Sequence, residues 1–272
     1  MNHVMWQAPA TRANADLLQA RGMVLLGPAE GPLAEGESGP GRLMEPRDIV
    51  DALSRPSALQ NQSILITAGP TREPIDAVRF IANRSSGRMG FAIAAAAATA
   101  GAQVTLIAGP SALPTPPGVT RIDVETAMEM HAATLTRAAE ADIFVAAAAV
   151  ADYRVAEPAT NKVKKTDAPS SLPLTANPDI VRDVAAIPDG PFTLGFAAET
   201  DDLLEHARGK LAAKGLDMIA ANQVGDGLGF DVDENRLEVL WTGGGATLGP
   251  MPKRRLATAL IELLGEHWHA AR

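Results

Sequence analysis

The chain has 272 residues, of which 46% are hydrophobic and 21% charged, a balance typical of a soluble globular protein with a substantial core. Its formal net charge of −8 argues against a general nucleic-acid binder, which needs a basic surface. Cysteine is absent, and this excludes disulfides, thiolate metal sites and a cysteine nucleophile. No apolar run reaches the roughly 18 residues that cross a bilayer, and the first residues do not resemble a secretory signal. We therefore expect a cytoplasmic protein with neither nucleic acid nor membrane as a partner.

Residues 1–53 differ in character from the rest of the chain. We expect two helices and one strand there, at 11–21, 46–53 and 23–26 respectively. The intervening residues 27–41 are too polar and too rich in Gly and Pro to hold a core. Residues 54–62 have the composition of a linker, and residues 63–272 then form the main domain.

From residue 63 onward, strand and helix signals alternate, which predicts an α/β, Rossmann-like fold: a mainly parallel sheet with helices on both faces. We expect strands at 63–68, 103–108, 119–123, 142–148, 192–197, 217–221 and 236–241. Helices are expected at 88–101, 126–140, 178–187, 201–214 and 252–268. The glycines at 243–245 indicate a late hairpin on the edge of the sheet.

The loop after the first of these strands, residues 69–87, is the most informative segment because it shows neither a helix nor a strand period. Loops of this length inside compact domains usually bind something. This one ends in Ser85, Ser86 and Gly87, directly before an Ala-rich helix, where backbone N–H groups and the helix dipole favour a phosphate. Serine is also an ordinary helix cap. The long polar loop ahead of it favours phosphate binding.

Other candidate side chains stand after predicted strands, which is where open α/β sheets bind ligands. Arg79 and Asn83 would share a face if their segment were helical. Arginine would then hold a phosphate or carboxylate and asparagine an oxyanion, although loop-stabilising hydrogen bonds explain the pair equally well. Asp152 and Tyr153 follow a buried strand, but Glu157 stands where a short-chain reductase needs lysine.

Lysines form a further group of candidates. Lys162-Val-Lys-Lys165 lies in the Pro-, Thr- and Ser-containing segment 154–177. That segment is either a solvated surface or a mobile flap that brings lysine to a polyphosphate. Lys210 and Lys214 share one helix face, where they either solubilise the surface or bind a triphosphate. The residue pattern alone leaves both alternatives open.

Six motifs in order give the chain a close resemblance to phosphopantothenate–cysteine ligase, the carboxy-terminal half of the bacterial bifunctional coenzyme A biosynthesis protein. The motifs are Ile66-Thr-Ala-Gly-Pro-Thr-Arg-Glu-Pro74, Asn83-Arg-Ser-Ser-Gly-Arg-Met-Gly90, Ala148-Ala-Val-Ala-Asp-Tyr-Arg154, Lys162-Val-Lys-Lys165, Asn177-Pro-Asp-Ile-Val181 and Gly195-Phe-Ala-Ala-Glu-Thr200. The resemblance covers residues 63–264 and implies CTP-dependent ligation of 4′-phosphopantothenate to cysteine. An acyl-cytidylate and pyrophosphate form first, and cysteine then displaces CMP. The resemblance also implies a homodimer.

The resemblance assigns roles to individual positions. It implies that Asn83, Arg79 and Lys162 are catalytic and that Ser85, Ser86 and Gly87 hold the substrate phosphate. The positions that match CTP contacts are Ala146, Ala147, Ala148, Asp152, Lys162, Pro178, Asp179, Ile180, Val181, Phe196, Lys210 and Lys214. The preference for cytosine over adenine rests on the resemblance alone.

Residues 1–53 resemble the tail of the partner flavoprotein, phosphopantothenoylcysteine decarboxylase. The chain would then start inside that domain, without its flavin-binding body. Glu35, between Ala34 and Gly36, stands where that family carries its catalytic cysteine. Because the flavin-binding body would be missing, we do not expect FMN to bind this chain. Glutamate cannot replace a thiol acid without altered chemistry, so we also expect no decarboxylase activity.

Two other classes of protein are alternatives to a ligase. A nicotinamide-dependent reductase is disfavoured because the chain lacks a Gly-x-Gly-x-x-Gly turn and a Tyr/Lys pair. A non-catalytic nucleotide-binding protein would be favoured if Lys162 or Asn83 proved dispensable. The five histidines show no metal-ligand spacing. Mg²⁺ is therefore expected to arrive with the nucleotide, with Asp152 or Asp179 as candidate ligands.

Overall fold

The computed structural model describes residues 1–21, 23–34, 36–54, 59–164, 171–199, 201–223 and 234–272. The chain divides into two compact units, Met1–Ser57 and Ala58–Arg272. Residues 59–62, which the sequence placed in a linker, belong to the second unit. Leu59 is buried there at 1% exposure, and the Asn61 N–H donates to the Gly101 carbonyl at 2.9 Å.

Over its described residues, the first unit contains three helices and one β-hairpin. Its elements are α1 (His3–Gln7), α2 (Pro9–Ala20), β1 (Ala29–Pro32), β2 (Ser38–Arg42) and α3 (Pro46–Ser54). The expected strand at 23–26 is wrong, because β1 and β2 pair antiparallel within the Gly-rich stretch instead. Backbone pairing stabilises this hairpin without large side chains. Gly41 lies so close to the start of the chain that a Cβ would meet the Met1 carbonyl oxygen.

The second unit alternates strands and helices, as the sequence predicted. Its elements are β3 (Ser63–Ala68), β4 (Arg72–Pro74), β5 (Phe80–Ala82), α4 (Arg88–Thr99), β6 (Gln103–Ala108), β7 (Val119–Asp123), α5 (Ala127–Ala138), β8 (Ile143–Ala146), β9 (Tyr153–Val155), β10 (Leu174–Ala176), α6 (Ile180–Ala185), β11 (Phe192–Glu199), α7 (Leu203–Lys214), β12 (Met218–Gln223), β13 (Glu234–Trp241), β14 (Gly244–Pro252) and α8 (Lys253–Ala270).

Eight of these strands form the central sheet, in the order β14–β13–β12–β11–β8–β3–β6–β7. The strands from β12 to β7 in that order are parallel, and β13 and β14 add the antiparallel hairpin at one edge. The α/β, Rossmann-like prediction with a late edge hairpin is therefore confirmed. Counted along the chain, the parallel strands have the order 3-2-1-4-5-6, so the direction of winding reverses between β3 and β8. Ligands bind at such a switch point, beyond the carboxyl ends of the strands.

Helices cover both faces of this sheet. On one face α4 and α8 pack against the strands, with Ile93 and Leu260 in the same cluster as Ile66. On the other face α5 and α6 enclose Leu65 and Phe144, and α7 packs on a third cluster. Successive residues of a strand point to opposite faces. Because helices cover both faces, residues on both sides of a central strand are buried, and the strand sequences are continuous apolar runs.

Among the described residues of the second unit, two small antiparallel sheets lie outside the central one, β4 with β5 and β9 with β10. The first corrects the prediction that Arg79 and Asn83 could share a helix face, because the extended strand β5 runs between them. The cause is a turn at Asp76, whose carboxylate accepts the backbone N–H groups of Val78 and Arg79 at 2.9 Å each. Such side-chain turns compete with helix formation.

Among the residues that the structure describes, none of the helices is both long enough and apolar enough to cross a bilayer.

Candidate functional site

The segments that follow β3 and β8 run side by side past the ends of the two strands. Ala147 donates its N–H to the Thr67 carbonyl at 3.1 Å, and Ala149 donates to the Gly69 carbonyl at 2.9 Å. Thr71 returns a bond, from its N–H to the Ala149 carbonyl at 3.3 Å. The backbone of the alanine run predicted to contact CTP is therefore fixed directly beside the loop predicted to bind the substrate phosphate.

The turn before α4 is built around Gly87. Gly87 is the N-cap residue, with a φ of +75°, and no side chain caps the helix. The predicted alternative, that a serine caps α4, is therefore wrong. A Cβ at Gly87 would lie 3.2 Å from the Cα of Gly69, so only glycine lets the helix start approach the end of β3 this closely. Ser85 Oγ instead accepts the Gly87 N–H at 3.3 Å. This leaves the positive end of a 12-residue helix without a side-chain cap.

Asn83 connects the loop after β3 to the segment after β8. Its Nδ2 donates to the Val150 carbonyl at 3.0 Å, while the residue stays exposed. An asparagine amide carries two N–H donors. One donor therefore fixes the side chain in place, and the other is available to an oxygen that develops negative charge nearby.

The loop after β3 also holds the backbone next to Lys162. The Asp76 carboxylate accepts the Val163 N–H at 3.0 Å and the Nε of Arg79 at 3.0 Å. Nη2 of Arg79 donates both to that carboxylate and to the Val163 carbonyl, the latter at 3.0 Å. The hydrogen bonds from Arg79 hold the pKa of Asp76 well below its usual range, and the same hydrogen bonds together with the Asp76 charge raise the pKa of Arg79. The guanidinium of Arg79, a residue predicted to be catalytic, is thus hydrogen-bonded to Asp76 and Val163.

The start of α6 is joined to the same region. Asn177 donates its backbone N–H to the Asp152 carbonyl and its Nδ2 to the Ala151 carbonyl, each at 2.8 Å. The Asp179 side chain accepts the Arg182 N–H at the first turn of α6. The two segments that carry the predicted nucleotide positions Asp152 and Asp179 are therefore joined by the backbone and side-chain hydrogen bonds of Asn177.

Both lysines predicted to bind the triphosphate are paired with carboxylates. Lys210 Nζ lies 2.6 Å from Glu199 Oε1, and Lys214 Nζ lies 2.9 Å from Asp179 Oδ2. His206 Nδ1 lies 3.4 Å from the second oxygen of Glu199. A polyphosphate would compete with these carboxylates for the two ammonium groups.

The remaining nucleotide positions differ in what they expose. Ile180, the first residue of α6, is buried in the core cluster that α5 and α6 form with the sheet, so only its backbone can meet a ligand. Val181 and Phe196 are half-buried and pack against the core clusters. Pro178 lies between Asn177 and Asp179 and is half-buried as well.

Two side chains of this region were missed by the sequence analysis. Asp76 stands three residues before Arg79 in a polar loop, which is a signal for a side-chain turn. Glu199 ends β11 inside a motif that carried the family resemblance, yet a single glutamate at a strand end gives no sign of its partner lysine.

Some predicted features lie outside the described residues, namely Glu35, Lys165 and Thr200. The absence of decarboxylase activity therefore stays a prediction. Within the described ranges, no three His, Asp or Glu side chains are grouped closely enough to hold a metal ion. Asp179 is already paired with Lys214, so the exposed Asp152 fits better as a carboxylate for a metal that arrives with a nucleotide.

Known proteins are similar to this chain in sequence and in fold. Residues 59–267 match the DNA/pantothenate metabolism flavoprotein C-terminal domain, and residues 1–56 match the flavoprotein family. The chain is 48% identical over 273 residues to the coenzyme A biosynthesis bifunctional protein CoaBC of Vibrio cholerae, covering 98% of this chain and 68% of that protein. Identity to the protein of the same name from Escherichia coli is 47% over 270 residues, covering 96% of this chain and 66% of that one.

A solved structure repeats the fold of the second unit. The crystal structure of the C-terminal domain of a coenzyme A biosynthesis bifunctional protein CoaBC superposes with a TM-score of 0.68 at 36% identity, covering 79% of this chain and 99% of that domain. The recognition made from the six motifs is confirmed. The chain therefore belongs to the DNA/pantothenate metabolism flavoprotein C-terminal domain family, carries a flavoprotein-family segment ahead of that domain, and is homologous to the CoaBC proteins of coenzyme A biosynthesis.

Proposed function

We propose that the second unit ligates 4′-phosphopantothenate to cysteine at the expense of CTP. One observation carries the proposal: at the switch point, Asn83 is fixed by the Val150 carbonyl, between the turn at Ser85–Gly87 and the alanine segment after β8. An amide donor thus stands where two phosphorylated reactants would meet. The likeness to the CoaBC proteins supports this assignment.

The first step needs a clamp on both reactants. The phosphate of phosphopantothenate binds the turn before α4, and an oxygen of its carboxylate attacks the α-phosphorus of CTP. The bond to the β-phosphate breaks and pyrophosphate leaves. Lys162, Lys210 and Lys214 neutralise the charge that develops on the leaving group. Mg²⁺ bound with CTP would add further positive charge at the phosphates, and Asp152 is the carboxylate placed to approach it.

The second step needs an oxyanion donor. The amine nitrogen of cysteine attacks the acyl carbon, negative charge moves to the acyl oxygen, and the free N–H of Asn83 donates to it. The bond to CMP then breaks, and the amine loses a proton as the amide forms. No protein nucleophile takes part. The absence of cysteine from the chain is therefore compatible with the reaction, because the thiol belongs to the substrate.

A groove beside the turn offers room for the acid. Its volume is about 590 Å³, and its lining combines Arg72, Ser111 and Arg121 with the acidic residues Asp123, Glu125 and Glu129. Ser111 donates its hydroxyl to the Ser86 carbonyl at 3.4 Å, which places the groove next to the proposed phosphate position. Arg121 is bound by Asp123 and by two backbone carbonyls. Arg72, over the ring of Phe80, is therefore the cation better placed to meet a ligand.

The test follows the two products separately. Mixing the full chain with CTP, Mg²⁺ and phosphopantothenate should release pyrophosphate without cysteine, and adding cysteine should release CMP with amide formation. Pantothenate without its phosphate is the matched control for the turn before α4, and ATP in place of CTP measures the base preference. No pyrophosphate from the complete mixture would refute the ligase. CTP binding without turnover would favour a nucleotide-binding protein instead.

A further inference from the structure

The backbone around Lys162 is attached to the loop after β3 at two places. Before Lys162, the Ala159 N–H donates to the Ile75 carbonyl at 3.0 Å. After it, Val163 is held through both of its backbone groups, the N–H by Asp76 and the carbonyl by Arg79, each at 3.0 Å. The three residues between these attachments include Lys162, whose own side chain is exposed.

Asp76 is the centre of this attachment. Its side chain has no exposed surface, whereas 51% of the Arg79 side chain is exposed. Its two oxygens accept N–H groups from Val78, Val163 and the backbone and guanidinium of Arg79. Buried carboxylates need such partners. One of these donors, however, lies 87 positions away in the sequence, and the turn at 76–79 does not require it.

We propose that Asp76 is a positioning residue for Lys162: it fixes the Val163 peptide, and so aims the Lys162 side chain at the nucleotide phosphates. The inference rests on the proposed ligase function and adds a residue to which no role has been assigned. A lysine on an exposed segment must be ordered at each turnover. Fixing the neighbouring peptide in advance removes part of that cost.

Arg79 also helps to position the Val163 peptide. Its Nη2 joins the Asp76 carboxylate to the Val163 carbonyl, so the guanidinium and the carboxylate hold opposite ends of one residue. Asparagine at position 76 would keep the size of the side chain but present an N–H₂ group toward donors that need an acceptor. That substitution should release Val163 while leaving Lys162 chemically unchanged.

A double-mutant cycle tests the link. We expect Asp76→Asn to slow pyrophosphate release, measured with CTP and phosphopantothenate, by about 10–100-fold in kcat, since small misplacements of a reacting group cost up to about 10²-fold. In a Lys162→Ala background the same substitution should cost less than about 2-fold, because the residue it positions is gone. Asp142→Asn is the matched control. Asp142 also accepts a backbone N–H and contacts an arginine, and it lies at the opposite ends of the strands.

Two results would overturn the proposal: an unchanged rate for Asp76→Asn, or an equal loss of rate in both backgrounds, which would show that Asp76 acts independently of Lys162.

Hydrogen exchange in the wild-type chain gives a second measurement, which depends neither on a variant that folds nor on ligase activity. The Val163 N–H should exchange at least about 10-fold more slowly than the Lys164 N–H. Equal exchange rates for the Val163 and Lys164 N–H groups would refute the attachment itself. If the Val163 N–H is protected from exchange but no pyrophosphate is released, the ligase function and the role of Lys162 are refuted, but the attachment is not.

Discussion

At the amino ends of the parallel strands, Asp142 accepts the N–H of Ser63 and Asp217 accepts the N–H of Thr193, at 2.9 and 2.7 Å. Each aspartate therefore braces the start of a neighbouring strand, Ser63 being the first residue of β3 and Thr193 the second of β11. At the carboxyl ends, Asp76 accepts an N–H from the segment that carries Lys162. A hydrogen bond from a backbone N–H to an aspartate thus stabilises regular strands at one end of the sheet. At the other end it holds irregular backbone that faces the proposed ligands. Substitutions at the two ends should consequently separate stability from turnover.

The largest effect is expected at Asn83, at the carboxyl end. Asn83→Asp should still release pyrophosphate but slow amide formation by about 10²–10³-fold, the usual cost of losing an oxyanion donor. A carboxylate cannot donate to the acyl oxygen, and its charge repels the oxyanion. Quenched-flow measurement of acyl-cytidylate and CMP would show the intermediate accumulating. Normal turnover by this variant would show that Asn83 has no such role.

A tenfold effect is expected from the pair formed by Lys210 on α7 and Glu199 at the end of β11. Lys210→Ala should raise KM for CTP by about 10-fold, because a hydrogen bond to a charged group contributes about 1.5 kcal/mol. Glu199→Gln is the opposing variant. It frees Lys210 from its 2.6 Å partner and should lower KM for CTP by about 2-fold. Initial rates at varied CTP test both, with KM for phosphopantothenate as the internal control. Equal KM values for CTP in all three proteins would remove Lys210 from the nucleotide site.

The smallest effect on turnover is expected at the amino end. Asp142→Asn should lower the free energy of unfolding by about 1 kcal/mol, the typical net contribution of one hydrogen bond, and leave kcat unchanged. Urea unfolding together with steady-state rates would measure both quantities. A fall in kcat without loss of stability would contradict the division of roles between the two ends of the sheet.

The framework of the second unit could be predicted from the sequence because buried positions are occupied by apolar residues, and their spacing differs between helices and strands. Adjacent core residues such as Leu65 and Ile66 are both apolar since helices cover both faces of the sheet. The motifs also placed the candidate site after β3 and β8. Local patterns could not reveal the pairing of Asp76 with Val163 or of Glu199 with Lys210, because each depends on how distant segments fold together. The hairpin in the Gly-rich stretch of the first unit was missed for a related reason: its pairing is made by backbone groups, which leave no pattern of side chains.

The most direct test of the central claim is a crystal structure of the full chain with phosphopantothenate and a CTP analogue that cannot transfer its nucleotidyl group. We expect the phosphate of the acid at the turn formed by Ser85, Ser86 and Gly87. Its carboxylate should lie beside the α-phosphate, within reach of Asn83, and the triphosphate should meet the lysines now paired with Glu199 and Asp179. Electron density that placed either ligand away from the carboxyl ends of β3 and β8 would contradict the account.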